Sequence, residues 1–196
     1  LASRQALLHA VAHIEFNAID LAFDIVARFG AALPPAFAAD WLRIGGEEAE
    51  HFIAVADRLE ALGSHYGALP AHDGLWQAAR TTAHDLLARL AVVPLVLEAR
   101  GLDVTPDMIA RLERAGDDAS AAILRRIYAE EIGHVAAGSR WFHFVCAESR
   151  LNPESAFRTA VARNFRGAVK PPFNDSAREQ AGLPPRFYQP VEPAGR

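Results

Sequence analysis

The sequence predicts an all-α protein: an antiparallel bundle of four long helices with short accessory helices and an extended, Pro-rich C-terminal tail. Three observations carry that expectation. Apolar residues recur at three- and four-residue spacing from Ser3 to about residue 165, and no stretch alternates as a strand would. Short connections join the long periodic segments, which sets consecutive helices antiparallel. Six of the twelve prolines fall between Pro171 and Pro193, after the last periodic segment.

The first helix is expected over Ser3 to Phe29, closed by Gly30. Pro34-Pro35 opens a second, which runs to about Leu62 and stops at Gly63. After a turn-rich stretch, Ser64 to Gly74, the third is expected from Leu75 to Arg100, ending at Gly101. Pro94 lies inside it and should kink it or free a carbonyl near residue 90. Thr105-Pro106 reads as a cap with Pro at the first helical position, starting a short helix to about Ala115. Gly116-Asp117-Asp118 breaks it before a fourth long helix, Ala119 to Glu148, and Asn152-Pro153 begins a last short one. Residues 1–166 thus form the expected bundle. Residues 167–196 form the tail, wrapped on the body through Phe173, Phe187 and Tyr188 or mobile.

Composition narrows the function classes. The 196 residues are 51% apolar and 22% charged, values of a folded globular chain. The longest apolar run, Leu90 to Leu97, is too short to span a bilayer, so no membrane role is expected. The single cysteine, Cys146, excludes an intramolecular disulfide framework and a cysteine-built zinc site, and it suits a reducing cytoplasm. Residues 1–157 carry a net charge of −8 and residues 158–196 one of +4, which leaves no broad cationic face for nucleic acid. A start at Leu1 rather than Met leaves room for residues upstream, a removed signal included.

Two Glu-x-x-His motifs carry the chemistry: Glu48-Ala-Glu-His51 and Glu131-Ile-Gly-His134. Residues three apart lie on one helix face, so each Glu and His can reach one point. Alone, such a motif is weak, but both lie deep in long helices, the second and the fourth. The first and third each offer one carboxylate amid apolar neighbours, Glu15 and Glu98. Glu15 precedes Glu48 by the same interval that separates Glu98 from Glu131, so the halves are related by a shift of 83 residues. The match extends further: Arg43-Ile44-x-x-Glu47-Glu48-x-x-His51 corresponds to Arg126-Ile127-x-x-Glu130-Glu131-x-x-His134. An internal repeat of two helix pairs is the simplest account.

Four buried carboxylates would repel one another and pay a desolvation cost unless cations accompany them. Two divalent ions balance four ionised Glu. Oxygen and imidazole donors suit Fe, or Mn, better than a soft metal. Glu48 and Glu131 are expected to bridge, Glu15 and Glu98 to be terminal, and His51 and His134 to complete the two ions' shells.

The pattern resembles the ferritin-like superfamily of di-iron and di-manganese carboxylate proteins at all six positions. The runs His13-Ile14-Glu15, Leu97-Glu98-Ala99-Arg100-Gly101-Leu102-Asp103, Glu130-Glu131-Ile132-Gly133-His134 and Pro70-Ala71-His72-Asp73-Gly74-Leu75-Trp76 are more closely similar to a bacterial ferritin-like family of unknown function. The resemblance implies the fold and the metal site. The wider superfamily holds ferritins, manganese catalases and oxygen-activating hydroxylases, one group of which modifies tRNA.

Other residues have plainer readings. Glu47 and Glu130 each follow an Arg by four positions and are expected to form helix-surface ion pairs. Asp20 and Asp103 recur in both halves and could orient the imidazoles, or cap and face solvent. Tyr128, one turn before Glu131, is either a site-lining relay or a core tyrosine. Its repeat counterpart, Gly45, would leave that side open for substrate or dioxygen. His9, His13, His65, His84 and His143 read as core or surface polar groups, His72-Asp73 as a cap and Cys146 as core.

The expected function is a di-metal, first of all di-iron, oxidoreductase that activates dioxygen or peroxide, such as a hydroxylase of a small-molecule substrate. The alternatives are a ferroxidase or iron-handling protein, and a binding module that metal merely stabilises. Hydroxylation would need a separate electron-donor partner, since no flavin or iron–sulfur motif is present. An RNA contact by the basic tail and a homodimer complete the partners considered.

Overall fold

The computed structural model describes residues 2–189, and every regular element in them is helical. Helix α1 (Ala2–Phe29) passes into a 3-10 turn, Gly30–Ala32, so Gly30 begins a tighter turn rather than ending the helix in a left-handed conformation. Helix α2 (Pro35–Ala61) starts with Pro35 in the first turn, where its missing N–H is harmless. It stops at Gly63, whose φ of 76° lets the Ser64 N–H turn back to the Leu59 carbonyl at 2.9 Å. Gly116 closes the helix that ends at Arg114 in the same way: with φ at 70°, the Asp117 N–H reaches the Leu112 carbonyl at 2.9 Å.

The segment expected as one helix from Leu75 to Arg100, and a second from Thr105, is divided differently. Helix α3 (Gly74–Thr81) ends early, and α4 (Leu86–Val92) restarts from Asp85, whose carboxylate accepts the Ala88 N–H at 3.0 Å. Pro94 is absorbed by a π-helical turn, Val93–Glu98, after which the Ala99 N–H bonds to the Pro94 carbonyl five residues back. Helix α5 (Ala99–Arg114) then runs through Gly101 and through Pro106. The Leu102 carbonyl, four residues before Pro106, loses its helical donor. Asn174 replaces it, donating from Nδ2 at 3.1 Å. The Thr105-Pro106 signature therefore sits inside a helix, because a distant side chain satisfies the orphaned carbonyl.

Helices α6 (Asp118–Glu148) and α7 (Pro153–Asn164) start as expected, α7 from Asn152, which accepts the Ser155 N–H at 3.0 Å. The tail is more ordered than an extended strap. It carries α8 (Asp175–Gln180) and a 3-10 turn, Pro185–Phe187, and buries Leu183, Phe187 and Tyr188. Leu1 and the last part of the tail, residues 190–196, lie outside the described residues. No described helix is long and apolar enough to cross a membrane.

The described residues form two compact units. The first comprises those up to Arg80 with Thr105–Glu130; the second comprises Thr81–Val104 with those from Glu131 onward. The first is built on the pairing of α1 with α2. Leu8, Val11 and Ala12 of α1, Val55 and Leu59 of α2, Leu112 of α5 and Leu124 of α6 make one buried cluster. Asp117 anchors its base: it caps α6 through the Ser120 N–H at 3.1 Å and pairs with Arg58 at 2.7 Å. Burial acts to raise the Asp117 pKa, but the bonds from Ser120 and Arg58 outweigh it and hold the carboxyl below its ordinary range.

In the second unit α4 packs on α7, and Phe157 meets Phe142 and Phe187 edge-on. A Cβ on Gly138 would lie 2.4 Å from the Pro94 Cβ, so only glycine lets the π-helical turn press this closely against α6. Cys146 is fully buried and unbridged, as expected of a core residue.

Candidate metal centre

The core face of α1 continues to Glu15. The carboxylate lies three, four and seven residues after Ala12, Val11 and Leu8, so the apolar stripe that packs the helix also turns Glu15 inward. On α2, Glu48 lies seven residues before Val55 and four after the buried Ile44. Glu15, Glu48 and His51 are 6%, 1% and 1% exposed, and each offers a ligand atom within 4.8 Å of the other two. His51 Nδ1 stands 3.2 Å from Glu15 Oε2 and 3.2 Å from Glu48 Oε2. Adjacent donors on one ion with bonds of about 2.1 Å lie about 3 Å apart, so two carboxylates and an imidazole here fit a divalent metal in spacing and chemistry. Without metal, a proton takes over the role. Burial would lower the His51 pKa, but hydrogen bonds to Glu15 and Glu48, the Glu15 charge and a bond to Glu130 outweigh it and push it up to about 10.

The other ring nitrogen has a partner that spacing alone did not reveal. His51 Nε2 lies 2.6 Å from Glu130 Oε2, and Arg126 Nε donates to the second Glu130 oxygen at 3.1 Å. Glu130 does form the expected i,i+4 ion pair with Arg126, and it also fixes the ring so that Nδ1 faces Glu15 and Glu48. Burial works to raise the Glu130 pKa, while bonds from His51 and Arg126 prevail and lower it. The only sequence signal was the doubled Glu in each Glu-Glu-x-x-His. Glu47 keeps the surface pairing expected of it, with Arg43 Nη1 at 2.6 Å from one oxygen, and exposed Glu50 accepts from Arg126.

The second unit contains Glu98, Glu131 and His134. His134 is fully buried, and its Nδ1 stands 3.1 Å from Glu131 Oε2, the same Glu-x-x-His geometry as in α2. Gly101 runs alongside: a Cβ there would lie 3.9 Å from Glu131 Cγ. Glu98, one turn earlier at the end of the π-helical turn, is half-buried with its Oε2 shielded from solvent. The repeat is thus visible as two buried Glu-x-x-His pairs, one in each unit.

Asp20 and Asp103 do not orient the imidazoles. Asp20 is exposed on α1, and Asp103 is held in a buried two-bond ion pair by Arg178, at 2.7 Å from both Nε and Nη2. Nor is the Gly45 side open, since the Phe23 ring fills it, 3.1 Å from where a Cβ would stand. Tyr128 is half-buried on α6. Four of the other histidines, His9, His13, His72 and His143, have structural partners. His9 accepts the Gly67 N–H at 2.9 Å, His13 bridges the Tyr66 hydroxyl and the His72 carbonyl, and His143 donates to the Ser139 carbonyl at 2.8 Å. His72 accepts the Gly74 N–H at the start of α3, as a cap should.

Comparison with known proteins adds family without activity. No solved structure matches the chain. A Haemophilus influenzae protein described only as uncharacterized is 44% identical over 185 residues, covering 91% of this chain and 64% of its own length. The chain therefore spans less than two thirds of that curated relative. A family model described as "Protein of unknown function (DUF455)" matches residues 1–189. The chain belongs to the DUF455 family.

Proposed function

We propose that this chain is a ferritin-like carboxylate protein that holds two divalent metal ions, iron foremost, and uses them as an oxidoreductase on dioxygen or peroxide. The observation that carries this reading is the buried Glu15–Glu48–His51 triad, whose donors lie within 4.8 Å of one another. The repeated Glu-x-x-His of α6 supports a second, equivalent half. Glu15, Glu48 and His51 would hold one ion in the first unit, and Glu98, Glu131 and His134 the other in the second. Bound iron would supply one-electron redox chemistry, which the chain's own side chains lack.

The chain's part is positioning and charge. In the first unit, buried Glu15 and Glu48 set the negative charge before metal arrives, and burial keeps bulk water from screening it. Glu130 holds the His51 ring so that Nδ1 presents its lone pair to the metal position. In the metal-free chain the proton on Nδ1 neutralises part of the carboxylate charge, and His51 would have to release it to ligate a metal. Electrons for a hydroxylation would come from a separate donor. A small organic substrate is the expected reductant-coupled target.

The test is anaerobic loading with Fe(II), then exposure to dioxygen. Consumption near one dioxygen per loaded pair, lost in Glu48→Ala, supports the proposal; consumption no faster than by Fe(II) in buffer overturns it. Oxidation of many Fe(II) per chain with a retained mineral would point to iron handling instead.

A further inference from the structure

The second unit contains a cavity of about 180 Å³ that the metal chemistry does not use. Its walls are apolar where Val96, Leu97, Phe165, Val169 and Phe173 line it, and the charged side chains among them are Arg100, Lys170, Arg178 and Asp103. Three cations therefore face one carboxylate. Asp103 is already committed: Arg178 grips both its oxygens, the Asn174 N–H donates to it at 2.9 Å, and Arg100 Nη1 lies 3.3 Å away. Arg178 is only 2% exposed, its guanidinium stacked over Phe173 and Tyr188, yet its Nη1 has no hydrogen-bond partner among the described residues. A buried guanidinium N–H left unmet costs free energy that an anion would recover. Arg100 Nη1 also donates to the Lys170 and Pro172 carbonyls at 3.1 and 2.9 Å, which fixes the rim.

We propose that this cavity binds a small organic carboxylate. Its acid group would meet Arg178 Nη1, Arg100 and Lys170, and its short apolar body would lie on Val96, Leu97 and Phe165. Two features select that class. The excess positive charge requires an anion, and a buried arginine suits a carboxylate's planar oxygens. The mainly apolar wall disfavours a bare inorganic ion, which would leave it unfilled, and the volume is below the roughly 300–1,000 Å³ of drug-sized sites. Val96 and Leu97 belong to the π-helical turn that ends at Glu98, so an occupant would pack on the turn carrying a candidate ligand. The inference does not rest on that ligand, since every residue invoked lies outside the proposed six.

Isothermal titration of the full chain, as isolated and after chelation, tests it with hexanoate, 1-hexanol and inorganic phosphate as probes. The expected result is saturable one-to-one hexanoate binding in both preparations, at least about tenfold tighter than hexanol or phosphate. The single variant Lys170→Gln, at an exposed position, should weaken hexanoate several-fold with an unchanged melting temperature, and the double variant Arg100→Gln/Lys170→Gln should weaken it about tenfold or more while the chain stays folded. Hexanoate binding that disappears on chelation would place it on the metal and overturn the proposal. So would absence of saturation, hexanol or phosphate binding as tightly as hexanoate, or an unaltered affinity in the double variant.

Discussion

Removing the Glu130 carboxylate tests how the His51 half-site is organised. In Glu130→Ala the His51 Nε2–H loses an acceptor at 2.6 Å, and the ring, 1% exposed, is free to rotate away from Glu15 and Glu48. A hydrogen bond to a charged partner contributes about 1.5–3 kcal/mol, and loss of such a supporting group costs about 10–100-fold in metal affinity. The Glu130 side chain is 33% exposed, so water can partly replace it, which favours the lower end, about tenfold. Glu130→Gln keeps an acceptor and should lose less. The assay is competition of Mn(II) between protein and a chelator, with Glu50→Ala as control, since Glu50 also pairs with Arg126 but is 64% exposed. An affinity within twofold of wild type in Glu130→Ala, or an equal loss in Glu50→Ala, would refute the reasoning.

Other outcomes follow from the same geometry. In the chelated protein the folded His51 pKa, about 10, lies above the 6.5 of free imidazole, so its contribution is full below about pH 6.5 and lost as pH rises to about 10. The melting temperature of chelated wild type should fall over that window, and that of His51→Gln much less. Asp117→Ala removes a cap and an Arg58 pair together and should cost about 2–3 kcal/mol in urea unfolding. The folded Asp117 pKa is depressed, so this difference should hold above about pH 4 and shrink as pH falls below it. Gly138→Ala drives a Cβ into Pro94 and should destabilise by about 1–3 kcal/mol, whereas Gly133→Ala meets nothing within 4 Å and should stabilise by about 0.5–1 kcal/mol.

Much of the helical layout was legible because its punctuation is local. Pro35, Gly63, Gly116 and Asn152 act through their own backbones and nearest turns, and the ends of α2, α5 and α7 fall where they dictate. The stretch from Leu75 to Arg114 was not, because its prolines are tolerated for non-local reasons. Pro94 is taken up by a π-helical turn seated on Gly138, and the carbonyl left open by Pro106 is met by Asn174, a residue in the tail. In the site, Glu15, Glu48 and His51 could be found from the apolar stripe and the repeat. Glu130 was hidden by Arg126, whose i,i+4 spacing explained it fully on one helix; its bond to His51 depends on packing between helices. Asp103 shared the repeat's register but serves Arg178, and the excess charge of the tail gave no hint that one of its arginines would be buried.

Metal content per chain puts the central claim to the most direct test. Protein isolated without added metal, then loaded anaerobically with Fe(II) and desalted, should carry close to two ions per chain in wild type and at most one in His51→Ala or Glu15→Ala. A wild type that retains no iron or manganese, or variants that retain as much as wild type, would contradict the convergence of these buried side chains on metal.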